Sequence, residues 1–295
     1  MSLIEQAAKR LDELRRAGFD AQPAAAFAPA KLHATGTVAK AAVAQARSAR
    51  VPLDLARLAG MGLVTPDDSR SRIAEEFRLI KRPLIAHCAM EPDARPQRAN
   101  LVMMTSALPG EGKSYSSVNL AMSIAMELDR HVLLVDADVV RPSLPGMLGV
   151  QGEPGLLELL SDPSIGFGSV LTHTSVDKLS FIPCGKPHAR AAEMLASDAM
   201  TGLLDEMAAR YDDRIIIFDS PPLLVTTEAR ILATRMGQIV FIVRAESTLQ
   251  RDVTAALATI EGCPLKHLVL NRAPASIEGR YAYGYGYGYG SEGPR

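Results

Sequence analysis

Residues 107 to 114 read Ala-Leu-Pro-Gly-Glu-Gly-Lys-Ser, an Ala-x4-Gly-Lys-Ser spacing set between an apolar run at Leu101 to Met104 and a helical pattern at Val118, Met122, Ala125 and Met126. The chemistry of that spacing is anion binding. Glycines at 110 and 112 let the main chain curl so that successive N–H groups face phosphate oxygens, and the helix that follows adds its positive N-terminal end. The segment therefore reads as a nucleotide cradle made of Ala107, Pro109, Gly110, Glu111, Gly112, Lys113, Ser114 and Tyr115. Lys113 would reach the β- and γ-phosphates of ATP, and Ser114 would give a hydroxyl to Mg²⁺, a hard ion that takes oxygen ligands. Ala107 stands where the commonest form of the motif has glycine, a small change.

Two further apolar runs end on acids. His131 to Val135 closes on Asp136 and Asp138, and Ile215 to Phe218 closes on Asp219, which Ser220, Pro221 and Pro222 follow. In an open parallel sheet, ligands bind beyond the carboxyl ends of the strands. Three carboxylates in register with the Lys113 loop can converge on one Mg²⁺-nucleotide, whereas a single aspartate after a strand is more often a cap or turn residue.

Ala107 to Ser114, Val-Asp-Ala-Asp-Val-Val-Arg-Pro at 135 to 142 and Ile-Phe-Asp-Ser-Pro-Pro at 217 to 222 resemble the Walker A, Walker A′ and Walker B motifs of the bacterial tyrosine kinases. The resemblance runs over about residues 70 to 290. Among these kinases the chain is most similar to the stand-alone cytoplasmic type associated with exopolysaccharide gene clusters. It implies a P-loop NTPase-like α/β fold and an ATP- and Mg²⁺-dependent enzyme that phosphorylates a tyrosine cluster at its own C-terminus. It also implies Asp138 and Asp219 at the metal and Asn271 near the adenine; Asp136 is our choice for the base that takes the phenolic proton. The sequence does not fix which carboxylate does which job, and it leaves Arg141 open between orienting phosphate and stabilising a turn.

Tyr281, Tyr283, Tyr285, Tyr287 and Tyr289 fit the acceptor cluster; they are five of the seven tyrosines. Gly284, Gly286, Gly288 and Gly290 between and after them keep the segment extensible and give it no core to pack, so it can enter an active site. Tyrosine, with an ordinary pKa of about 10, is protonated at neutral pH, so attack on phosphorus benefits from a carboxylate that takes its proton. A short tail leaving the last strand reaches a neighbouring subunit more readily than its own site. Five phosphates, each adding about −1.5 to −2 charge, would then drive neighbouring tails apart.

The elements that must position these groups follow from periodicity. Leu179 to Pro183, Ile239 to Val243 and His267 to Leu270 read as strands, and 155 to 160, 197 to 209 and 249 to 260 as helices. Alternation of the two predicts a mainly parallel sheet with helices on both faces. Thr65-Pro66-Asp67-Asp68 reads as a helix start and Pro83 as its end, with Ile73, Phe77 and Ile80 on the apolar face. Glu75, Arg78 and Lys81 on this helix resemble the Glu-x2-Arg-x2-Arg motif through which the family's subunits form rings, with lysine in place of the third, fork-shaped arginine. Residues 1–64 read as an amphipathic helix (Leu3, Ala7, Leu11, Leu14, stopped at Gly18) and an alanine-rich linker, 65–275 as the kinase domain, and 276–295 as a flexible tail.

Composition narrows the function classes. At 295 residues and 47% hydrophobic the chain can bury one large core. A net charge of −1 offers no basic face for nucleic acid. Cys88, Cys184 and Cys263 lack metal-ligand spacing, read as ordinary buried residues, and suit reduced thiols in the cytoplasm. No segment reaches the ~20 apolar residues of a membrane span. The resemblance implies a membrane chain-length regulator as activator, which would recruit the protein to the inner face of the cell membrane. The competing reading is a partition or septum-positioning ATPase of the same fold; its signature lysine early in the loop is replaced here by Leu108. A third is a non-catalytic, nucleotide-dependent regulator of polysaccharide export.

Overall fold

Apolar runs of four to seven residues without polar alternation are the mark of strands covered on both faces, and the central strands are used that way, whereas the edge segment Leu265–Asn271 leaves Leu268 and Leu270 exposed. The computed structural model describes residues 50–91, 93–210 and 213–274, all within one compact unit, Arg47–Arg295. The Tyr281 to Tyr289 cluster and the Leu3 to Leu14 pattern lie outside the described residues.

In chain order the elements are α1 (Leu55–Gly60), a 3₁₀ turn (Pro66–Asp68), α2 (Arg72–Cys88), β1 (Leu101–Ser106), α3 (Lys113–Ala125), β2 (His131–Asp136), α4 (Leu144–Leu148), α5 (Leu156–Ser161), α6 (Phe167–Val170), β3 (Thr172–His173) and β4 (Leu179–Ile182). There follow α7 (Ala191–Ala196), α8 (Asp198–Arg210), β5 (Arg214–Asp219), α9 (Thr227–Ala233), β6 (Gln238–Arg244), α10 (Gln250–Ala258) and β7 (Leu265–Asn271). The strands form a seven-stranded sheet ordered β3-β4-β2-β5-β1-β6-β7. All neighbours are parallel except β3 with β4.

Side chains alternate across a strand, so one run feeds two cores. Val102, Met104, Ile217 and Val240 pack with Phe77 and Leu84 of α2 and Leu120 of α3. Met103, Phe218 and Phe241 pack with Met200 and Leu204 of α8 and Leu232 of α9 on the other face. The three cysteines are buried and free, as their scattering implied.

Two readings of the sequence need correction. The helix carrying Glu75 does not start at Thr65: Pro66–Asp68 is a separate turn, and Ser71 caps α2 by accepting from the Ala74 N–H. Nor does it end at Pro83, which lies inside it. Proline removes one hydrogen bond to the carbonyl four residues back, here that of Leu79, and both residues are exposed, so water can serve that carbonyl.

The expected linker up to residue 64 ends earlier. Val51 bridges to Thr174, the Leu53 N–H donates to Ser175 Oγ at 2.9 Å, and Leu53, Leu58, Leu63 and Val64 are buried in the core with α3. Among the described residues no helix is long and apolar enough to cross a membrane.

Candidate functional site

The sheet order sets β2, β5 and β1 side by side, so their carboxyl ends deliver the Asp136 turn, Asp219 and the Ala107–Gly112 loop to one place. Asp136 and Asp219 are register partners across β2 and β5, and the Ala137 N–H donates to the Asp219 carbonyl at 2.8 Å. The convergence expected of the three acids is therefore present.

The loop is shaped by its glycines and held from behind. Gly110 (φ +80°) and Gly112 (φ +101°) both occupy the left-handed region, and Gly112 hands the chain to α3 as its N-cap. The N–H groups of Gly110, Gly112, Lys113 and Ser114 find no acceptor among the described residues, which leaves a row of donors at a helix N-terminus, the requirement for holding phosphate. Glu111 is buried, and its carboxylate accepts from the Leu108 N–H at 2.6 Å and from the Thr248 hydroxyl. Its carbonyl accepts from Asn271 Nδ2 at 2.8 Å.

The acids differ in surroundings. Asp219 is fully buried; Ser117 Oγ lies 2.8 Å from its Oδ1, while its Oδ2 is buried without a hydrogen-bond partner. Burial pushes its carboxyl up to about 6, with the hydroxyls of Ser114 and Ser117 and the Lys113 charge opposing. Asp136 is also fully buried, accepting from the Asp138 N–H on Oδ1 and the Leu144 N–H on Oδ2, each at 3.2 Å. Burial first, and the Asp219 charge second, raise it to about 8. Asp138 keeps an exposed edge of 6% and accepts from the Arg141 N–H at 2.9 Å. Burial raises its carboxyl too, opposed by that N–H and by the Lys113 charge. A partnerless buried carboxylate oxygen beside a second raised carboxyl, with the Ser114 hydroxyl near, is a hard, oxygen-rich donor set of the kind Mg²⁺ takes.

Residues 97–223 match the ParA family, described as NUBPL iron-transfer P-loop NTPase. The chain is 35% identical over 184 residues to the tyrosine-protein kinase ptk of Acinetobacter johnsonii, covering 62% of this chain and 25% of that one. It is 28% identical over 221 residues to the tyrosine-protein kinase YwqD of Bacillus subtilis, covering 74% and 89%. It superposes on the kinase domain of the Escherichia coli tyrosine kinase ETK with a TM-score of 0.60 at 26% identity, over 76% of this chain and 83% of that one. In sequence and in fold the chain is similar to the bacterial tyrosine kinases. It spans only about a quarter of the length of the first curated relatives it matches.

Against that family's pattern, Lys113, Ser114, Asp136, Asp138 and Asp219 are brought together, while three other expected residues are used differently. The Tyr115 hydroxyl donates to the Gly62 carbonyl at 2.6 Å, pinning the segment before α2 to α3 rather than facing phosphate. The Asn271 amide, expected near adenine, is engaged at both ends, donating to Glu111 and accepting from the Arg272 N–H at 2.9 Å. Lys81 is not on an outer face: it is buried, donates to the Ser123 carbonyl at 2.5 Å and pairs with Glu127 at 2.7 Å. Steps of three on an α-helix drift, and six residues from Glu75 the side chain has turned by about 120°. Glu75 and Arg78 pair with each other on the outer side.

Sequence reading missed Ser117, Thr248 and Ser143, whose Oγ lies 3.0 Å from that of Ser114. Only Ser117 had a usable signal, one helical turn beyond Lys113.

Proposed function

We propose that the protein is an ATP-dependent tyrosine autokinase whose acceptors are Tyr281, Tyr283, Tyr285, Tyr287 and Tyr289 of a neighbouring subunit, and that it regulates exopolysaccharide polymerisation or export. The observation that carries this is the meeting of the Lys113 loop with Asp136, Asp138 and Asp219, in a chain whose sequence ends in alternating tyrosines.

The transfer breaks the bond between the γ-phosphorus and its bridging oxygen to the β-phosphate, and forms one from that phosphorus to the phenolic oxygen. Lys113 and the loop N–H groups hold the phosphate chain and neutralise its charge. Ser114, Asp219 and Asp138 would hold Mg²⁺, which when bound draws charge off the phosphate oxygens. The phenolic proton goes to a carboxylate. Asp136, the sequence-based choice, has both oxygens occupied by main-chain N–H groups and no exposed edge; Asp138 has one, so we assign it the acceptor role.

Glu75 and Arg78 remain the candidates for a ring contact, with Lys81 removed from that set. Residues 1–64, 65–275 and 276–295 keep the roles of appendage, kinase domain and tail, with 51–64 joined to the domain's core. A membrane chain-length regulator is the proposed activator, at the inner face of the cell membrane. Leu108 in place of the partition ATPases' lysine favours the kinase.

Incubation with Mg²⁺-ATP and a candidate activator, followed by mass spectrometry, tests the reading. Phosphate on 281 to 289 in the wild type and none in Lys113→Met is the expected result. ATP consumed with the tail unmodified would instead support an ATPase.

A further inference from the structure

Outside the nucleotide cradle lies a cavity of about 320 Å³ between the end of α5, the loop after β4, α7 and the start of α8. Leu160 and Met194, both half-buried, give it an apolar wall, and His188, Arg190 and Glu193 stand at its rim. Among the described residues the Arg190 guanidinium has no hydrogen-bond or ion-pair partner. His188 Nδ1 lies 3.1 Å from the Arg190 main-chain nitrogen, whose N–H it accepts. That contact leaves the proton on Nε2 and turns the ring into a second donor.

The cavity touches the catalytic turn. Val139, next to Asp138, packs in one small cluster with Met194, Leu157, Cys184 and Ala191, so a single layer of side chains separates Met194 from the turn that bears the acids. An apolar wall under two donors, one a planar guanidinium, suits a group with an aromatic body and a doubly charged tip.

We propose that this cavity receives a phosphotyrosyl side chain of the substrate segment while another tyrosine of the same segment is at Asp138. The inference rests on the kinase reading and extends it. In an extended segment, tyrosines two or four residues apart are separated by about 7 to 13 Å, the scale of one such layer. Arg190 and His188 hold the phosphate, and Leu160 and Met194 hold the ring. The product of one transfer becomes the handle for the next, so the cluster fills in sequence.

Binding is measured on the full-length chain saturated with Mg²⁺-ADP, so that the nucleotide cradle is filled. The probes are N-acetyl-phosphotyrosine amide, N-acetyl-tyrosine amide and inorganic phosphate, followed by calorimetry. The phosphorylated amide should bind at least tenfold more tightly than either fragment. Arg190→Ala should weaken it at least tenfold, Arg190→Lys should restore part of the loss, and Met194→Ser should weaken the amide but leave phosphate unchanged. Equal binding to wild type and Arg190→Ala overturns the proposal, as does inorganic phosphate matching the amide.

A second readout counts phosphates per chain over time. Arg190→Ala should gain its first phosphate at the wild-type rate and later ones severalfold more slowly; unaltered later phosphates also overturn the proposal. Transfer absent from the wild type would defeat the kinase reading while leaving the binding result to stand on its own.

Discussion

Gly112 is where the loop becomes a helix, and replacing it with alanine perturbs two features at once. Its φ of +101° is outside the range L side chains adopt readily, a cost of about 1–3 kcal/mol. The added Cβ would also overlap the Asn271 side-chain amide, forcing it off the Glu111 carbonyl it bonds at 2.8 Å, a further ~0.5–1.5 kcal/mol. Together the native loop geometry loses about 1.5–4.5 kcal/mol, which at 1.4 kcal/mol per tenfold weakens nucleotide binding by at least ~10-fold. Titration with a fluorescent ATP analogue measures that loss, and urea unfolding shows how much of it is global. Asn271→Gly in the same background removes the overlap and not the backbone cost, so affinity should recover by less than tenfold. If Gly112→Ala binds nucleotide within threefold of wild type, the left-handed turn is not what orients the donors, and the account of the cradle fails.

Further outcomes follow from the packing. Lys81→Met should cost about 1–3 kcal/mol in urea unfolding, because a buried ammonium that holds the Ser123 carbonyl and Glu127 is lost. Lys81 holds the Glu127 carboxyl below its ordinary range, a contribution present above the unfolded carboxylate pKa and lost as pH falls through the folded one, so the gap between variant and wild type should narrow on acidification. Leu58→Ala should destabilise by about 2–5 kcal/mol, since Leu58 is fully buried under α3; a loss under 1 kcal/mol would return the segment to the status of a linker. Burial, and secondarily His87, hold the His267 imidazole below its usual pKa. Stability should therefore fall as pH drops from about 7 through the unfolded value and level off below the folded one, and His267→Gln should flatten that part of the curve.

The nucleotide end of the molecule was legible because its constraints are local. The glycines of the loop, Lys113, and acids at the ends of two apolar runs are all fixed by spacing within single segments. The six strands found from sequence were mostly apolar runs, whereas α4, α6, α7 and α9, of four to seven residues, are too short to show a period. The inward turn of Lys81, the double engagement of Asn271 and the reach of Tyr115 to Gly62 were not legible. Each depends on a partner 42 to 160 residues away, brought close only by the packing of the whole fold. Ser71 as the cap of α2 was hidden by the stronger-looking Thr65-Pro66 signal.

The grip on the far end of α3 has a mechanical consequence. Lys81 from α2 holds the Ser123 carbonyl, and Lys178, in the turn just before β4, holds the carbonyls of Glu127 and Leu128 just beyond the helix. The rod whose tip carries the loop donors is thus clamped at its tail by two ammonium groups. If α2 slides, α3 must travel with it or a desolvated cation must let go, so a push on the outer face of α2 and the seating of a triphosphate some 20 Å away act on one rigid body.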